Sequence, residues 1–115
     1  MNLLKGEMRA GTFTGKNIAV SGLSKKFSGP VTLGFRAEDA KIARKDVNLT
    51  APVYSMELLG EASQVTVQAG DALVAIWAAK DYRAAIGTNV SVHVPPALCH
   101  LFDAETGQRL MTGRT

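Results

Sequence analysis

Apolar and polar residues alternate along this chain with a period near two, and stretches that fit the 3.6-residue period of a helix are few and short. Val47, Leu49, Ala51 and Val53 share one face, with Asn48 and Thr50 on the other. Beyond Pro52 the apolar parity slips by one residue to Tyr54, Met56 and Leu58. A slip beside a proline, which has no N–H to give to a ladder, predicts a β-bulge or an edge segment there. Val65 and Val67 alternate with Thr66 and Gln68, and Ala69-Gly70-Asp71 supplies a turn. Leu73 to Ala78 is apolar on both faces, which predicts a central strand buried on two sides. Val90, Val92 and Val94 point one way, Ser91 and His93 the other, and Pro95-Pro96 stops the strand.

The first third of the chain follows the same rule. Glu7 to Phe13 and Lys16 to Ser21 flank Thr14-Gly15 as an expected hairpin, and Val31 to Phe35 forms a further strand. Helix-compatible pieces are confined to Ala37–Lys45 and to Ala78–Ile86, which ends at Gly87. Ser21 to Gly29 reads as a basic loop flanked by glycines. Six or more short strands separated by Gly, Pro and Asp predict an all-β barrel or sandwich, and an oligonucleotide/oligosaccharide-binding (OB) type barrel is one economical closure.

Composition narrows the function classes. At 115 residues, 46% of them hydrophobic, the chain has the length of one domain, or of a small domain with a companion hairpin, and is too apolar to be disordered. No apolar run approaches the roughly 20 residues of a membrane-spanning helix, and Met1 to Lys5 does not read as a signal peptide. The net charge of +3 is mild, and Lys25, Lys26, Lys41, Arg44 and Lys45 are interleaved with Glu38, Asp39 and Asp46. That mixture, with aromatic residues at only 6%, argues against a nucleic-acid face.

Catalytic chemistry is hard to place. The phosphate-cradling string G-x-x-x-x-G-K-[ST] is missing. Cys99 and His100 are adjacent, and neighbours on a strand point to opposite faces, so they cannot share a metal or form a nucleophilic pair. A buried thiol beside a half-exposed imidazole is the plainer expectation. Glu57 with Glu61, and Asp103 with Glu105, sit beside glycines and read as turn carboxylates. Trp77 with Tyr54 has the composition of a base- or sugar-stacking platform, but its apolar surroundings in sequence favour core packing. Arg36 follows an apolar strand and precedes Glu38 and Asp39; a local ion pair and a domain-orienting contact are equally compatible with that placement.

Four segments together carry a resemblance. MNLL (Met1 to Leu4), GFRAED (Gly34 to Asp39), VYSMELLGEASQVTV (Val53 to Val67) and HLFDAETGQRL (His100 to Leu110) occur in the order and spacing of the C-terminal regulatory region of importer ATPases of the maltose and glycerol-3-phosphate type. That region includes the transport-associated barrel called TOBE. Phe35 stands where the family has Ile, and Ala37 where it has Pro, which leaves the backbone there less fixed.

The resemblance implies an all-β, OB-like barrel spanning residues 47–111, with an additional N-terminal β-hairpin segment (1–36), a junction (37–46) and a tail (112–115). It implies a non-catalytic regulatory and dimerisation domain that holds no cofactor or metal itself, while the parent subunit uses ATP and Mg. The partners implied are the nucleotide-binding domain of the same subunit, a second copy, and a regulatory protein or effector. Nucleic acid is not among them, and the membrane is met only through the permeases, so the location implied is cytoplasmic, peripheral to the inner membrane. Met1 would fall inside a full-length subunit, which implies a piece of a longer protein. Arg36, Glu38, Met56 and Leu59 are the candidate interdomain or dimer contacts, with Val53 to Val67 and the turn Leu59-Gly60-Glu61 as part of a self-complementary patch. The alternative is a stand-alone oxyanion-binding barrel, with donors from Ser21 to Lys26.

Overall fold

Leu4 and Met8, Phe13, Val20, Leu33 and Leu101 are buried on one side of a continuous antiparallel sheet. The computed structural model describes residues 1–111, the side chain of Met111 excepted; the expected tail 112–115 lies outside the described residues. The strands are β1 (Asn2–Arg9), β2 (Thr12–Gly15), β3 (Ile18–Val20), β4 (Gly29–Phe35), β5 (Lys41–Ile42), β6 (Leu49–Leu59), β7 (Ala62–Ala69), β8 (Ala72–Ala79), β9 (Asn89–His93), β10 (His100–Asp103) and β11 (Arg109–Met111). Neighbours run β11-β10-β4-β1-β2-β3-β6-β7-β8, and β9 joins β6 to β5 off this path.

Period-two alternation places the core. Leu49, Ala51 and Val53 of β6, Val65 and Val67 of β7, Val74 and Ile76 of β8, and Val90 and Val92 of β9 are all buried. Each such Val, Leu or Ile side chain removed from water contributes roughly 1.5–3 kcal/mol against the entropy of folding. The irregularity expected beside Pro52 is present: the β6–β7 register shifts between Val53 and Ser55. The same strand changes partner at that point. Leu49 to Pro52 pairs with β9, and from Val53 onward the strand pairs with β7.

The sheet curls, yet it stays an open, OB-like half-barrel. Strand β8 ends the order, so the expectation of a central strand at Leu73–Ala78 is corrected. One face of β8 is buried through Val74 and Ile76, while Leu73 (50% exposed) and Trp77 (47%) stand on the other. The core packing expected for Trp77 is therefore also corrected. A side chain bridges the opening at one point: Asn2 of β1 exchanges two hydrogen bonds with the Ala75 peptide group, at 2.8 and 2.9 Å. Asn48 treats Val94 in the same way, at 2.8 and 2.7 Å, and so ties the approach to β6 to the end of β9.

Three local expectations change. The first hairpin turns at Ala10-Gly11, not at Thr14-Gly15, which lies within β2; both turn residues have positive φ (50° and 83°). That conformation matches the twist of a two-residue hairpin loop. A second turn at Lys16-Asn17 leads into β3. The helix-compatible stretches form no α-helix: Ala37–Asp39 makes one 3-10 turn and Ala78-Ala79 finishes β8. A second 3-10 turn covers Pro96–Leu98. No helix among the described residues is long and apolar enough to cross a membrane.

Candidate functional site

Strand β4 lies between β1 and β10, and this brings three of the motif segments together. Gly34 pairs with Leu3 on one side and with His100 on the other, and Thr32 pairs likewise with Lys5 and Phe102. A side chain at position 34 would lie 2.8 Å from Met1 Sδ, 2.9 Å from Phe102 Cε2 and 3.2 Å from Leu3 Cδ2. The glycine thus lets three apolar side chains converge over the backbone. Met1 and Leu3 are each 55% exposed, so the apolar surface above Gly34 faces outward. Met1, Leu3 and Phe102 thus form a contiguous apolar cluster on this face of the sheet.

The rim of this surface is polar and ordered. The Asp103 carboxylate accepts hydrogen bonds from the N–H groups of Glu105 and Thr106, both at 2.9 Å. Thr106 Oγ1 accepts from the Gln108 N–H at 3.1 Å. The two backbone donors hold the Asp103 carboxyl below its usual range. The turn delivers Arg109 over the Phe102 ring, 5.5 Å from its centroid, a cation–π contact worth about 0.5–1 kcal/mol at an exposed site.

Beneath the rim, His100 is buried, not half-exposed as expected from the alternation. Burial holds its pKa below the ordinary value, and the guanidiniums of Arg109 and Arg36 add to the effect, while Asp39 opposes it. Cys99 is fully buried, and its thiol is pushed up to about 12, first by burial and then by Asp39. Its Sγ donates to the Pro95 carbonyl at 3.4 Å. Such a thiol is inert as a nucleophile. No metal-holding cluster of His, Cys, Asp or Glu occurs among the described residues.

The four candidate contact residues do not form one patch. Arg36 is exposed at the end of β4, and Glu38 is exposed in the 3-10 turn that follows. Leu59, 44% exposed, ends β6 at the tip of the β6–β7 hairpin. Met56, three residues earlier on the same strand, faces the opposite side, packs against the core and accepts the Ala84 N–H on its sulfur at 3.2 Å. Glu38 does share a groove with Ala62, the cross-strand partner of Leu59. In the Ser21–Lys26 loop, Leu23 is buried and its N–H donates to Gly11, while Ser24 Oγ accepts the Lys26 N–H. Sequence reasoning missed Asn2, Asn48 and Gly34 as individual residues, although Asn2 and Gly34 lay inside quoted motifs.

Residues 33–102, from β4 into β10, match the model of the TOBE domain. An uncharacterized ABC transporter ATP-binding protein, YcjV of Escherichia coli O157:H7, is 32% identical over 98 residues, which cover 83% of this chain and 27% of the relative. The sn-glycerol-3-phosphate import ATP-binding protein UgpC of Escherichia coli O6:K15:H31 is 29% identical over 117 residues, covering 96% and 33%. UgpC of Salmonella typhimurium is 32% identical over 81 residues, covering 70% and 23%. The chain spans a third or less of the length of each of these relatives. With more than half of its residues matched by one family model, on a curled all-β sheet and without a phosphate-cradling loop, the chain belongs to the TOBE domain family.

Proposed function

We propose that this chain is the non-catalytic regulatory and dimerisation domain of the ATP-binding subunit of an ABC importer for a sugar or glycerol 3-phosphate. The relatives support the assignment of parent, since those named are ATP-binding proteins and two carry glycerol-3-phosphate import in their names. The observation that carries the contact role is the apolar surface over Gly34, where Met1, Leu3 and Phe102 meet. Exposed apolar groups framed by Arg109 and the Asp103 turn have the composition of an interface core with a polar rim. In this reading the nucleotide-binding domain of the same subunit and a second copy of the chain are its partners, and a regulator acts by favouring one arrangement of the pair. ATP and Mg belong to the parent subunit, on the cytoplasmic side of the membrane. The same reading takes residues 47–111 as the barrel proper, completed by 1–36 across a junction at 37–46.

Two measurements test this. The reading frame upstream of Met1 should encode G-x-x-x-x-G-K-[ST] in frame, and a native stop codon there would overturn the parentage. The purified 115-residue chain should release no phosphate from Mg-ATP above background, and turnover that follows the protein through successive columns would overturn the non-catalytic role.

A further inference from the structure

The free edge of β8 borders a groove that the docking face does not use. Trp77, the one tryptophan in the chain, stands 47% exposed on its wall. Tyr82 is also in the lining, Ala62 and Ala78 contribute only methyl groups, and Glu38 and Lys41 come from the segment after β4. The volume is about 520 Å³, room for a small ligand. Asn2 takes up both polar atoms of the Ala75 peptide, which therefore face away from β7. Two residues on, the Trp77 peptide faces the same free edge.

We propose that this groove binds a neutral carbohydrate, with a pyranose ring lying on the Trp77 indole. Three features select that chemistry. A half-exposed indole flanked by Ala62, Ala78, Ala79, Ile42 and Tyr82 is an apolar wall open to solvent, which fits the C–H face of a sugar ring. Glu38 offers only acceptors and Lys41 only donors, and a hydroxyl group, being both, satisfies each. One carboxylate and one ammonium in the same groove cancel, so a charged ligand gains nothing there that a neutral one lacks. The inference does not depend on the docking face or on the proposed parent subunit, because it concerns a different edge of the sheet.

The single tryptophan makes the test direct. The 115-residue chain is titrated with maltose, cellobiose and trehalose to about 50 mM, with glycerol 3-phosphate as the charged comparator, by intrinsic fluorescence and by isothermal titration calorimetry. A saturable response to at least one disaccharide, with Kd below about 10 mM, is expected. Trp77→Ala, followed by calorimetry, should weaken it about tenfold or more, and Glu38→Gln should weaken it several-fold. Trp77 is exposed, so its truncation leaves the core intact. Heat and fluorescence silent for all three disaccharides would overturn the proposal, as would binding of glycerol 3-phosphate alone. Sugar affinity unchanged in Trp77→Ala would overturn the location. A blue shift that tracks protein concentration without sugar would assign the groove to a contact between copies and overturn it too.

Discussion

The carboxamide of Asn2 forms two hydrogen bonds with the peptide group of Ala75, donating to its carbonyl at 2.8 Å and accepting from its N–H at 2.9 Å, across 73 positions of sequence. One side chain thus does what a ladder of backbone bonds does elsewhere in the sheet, and it holds β1 against the open edge of β8. Asn2 is buried, so its carboxamide has no ready replacement for these bonds in bulk water. Asn2→Ala should destabilise the chain by about 1–3 kcal/mol, since two bonds of about 1 kcal/mol are lost and a part-buried peptide group is left without its partner. Asn2→Asp should be no better, because it removes the donor and aims a charge at the Ala75 carbonyl. Urea denaturation monitored by circular dichroism reads both. A change within about 0.5 kcal/mol for Asn2→Ala would show that the pair does not hold the edge.

Gly34→Ala tests the convergence of Met1, Leu3 and Phe102 over the β4 backbone. The new methyl would approach Met1 Sδ and Phe102 Cε2 at under 3.0 Å, and both must shift. Overpacking of this order costs about 1–3 kcal/mol, less where a flexible end such as Met1 can swing away. The expected result is a lower melting temperature with the Phe102 and Met1 resonances displaced in an NMR spectrum and the β7–β8 resonances unmoved. Unchanged Phe102 and Met1 signals would contradict the arrangement.

Much of this fold was legible because burial and alternation coincide wherever one sheet face is dry. Leu49, Ala51 and Val53, then Val65 and Val67, then Val90 and Val92 are buried as their parity predicts, and the slip after Pro52 marks the register shift. Strand β8 broke the rule, because an apolar residue that lines a surface groove reads the same as one that fills a core. Trp77 lines such a groove, and Leu73 is exposed on the same face of the strand. The role of Asn2 was illegible for another reason: its partner is a peptide group, which carries no sequence signature. The motif segments were visible as strings, and only the β1–β4–β10 pairing shows that three of them share one surface.

The pH response of His100 has a definite sign. Its folded pKa lies below the ordinary 6.5, so the unfolded chain binds the proton more readily. Stability should therefore be lost as pH falls from about 6.5 toward the folded pKa, and be unaffected by this group above it. The charges involved are Arg109 and Arg36, which disfavour the imidazolium, and Asp39, which favours it. Thermal melts of the wild type and of His100→Gln between pH 5 and pH 7.5 should diverge toward the acid end, the variant being flatter. Parallel curves would mean that the imidazole titrates alike in both states.

Cys99 should be silent to thiol reagents until the chain unfolds. Its pKa, pushed up to about 12 from 9.0, keeps the group protonated at any ordinary pH. The corresponding stability is fully present below pH 9 and lost as pH rises from there toward 12. Ellman's reagent at pH 8 should label the native chain only at the rate of global opening and the urea-unfolded chain at once. Fast stoichiometric labelling of the native state would place the thiol at the surface.

Association of the isolated chain is the last outcome to check. The tip of the β6–β7 hairpin carries Leu58 and Leu59, 56% and 44% exposed, beside Gly60 at positive φ. Successive residues of a strand point to opposite faces, so this pair puts apolar surface on both sides of the tip. A two-fold contact uses the same patch on both copies, and Leu59 can meet its own counterpart there, whereas half-buried Met56 on the opposite face cannot contribute to the same contact. Small mixed-polarity contacts retain little affinity once the entropy of association is subtracted. Sedimentation velocity should therefore show a weak, concentration-dependent monomer–dimer equilibrium, shifted to monomer by Leu59→Glu and left in place by Met56→Leu. Leu3→Glu, beside Gly34, separates the two surfaces. If it abolishes the dimer while Leu59→Glu does not, the copies meet over Gly34. A chain that stays strictly monomeric at high concentration would overturn autonomous dimerisation.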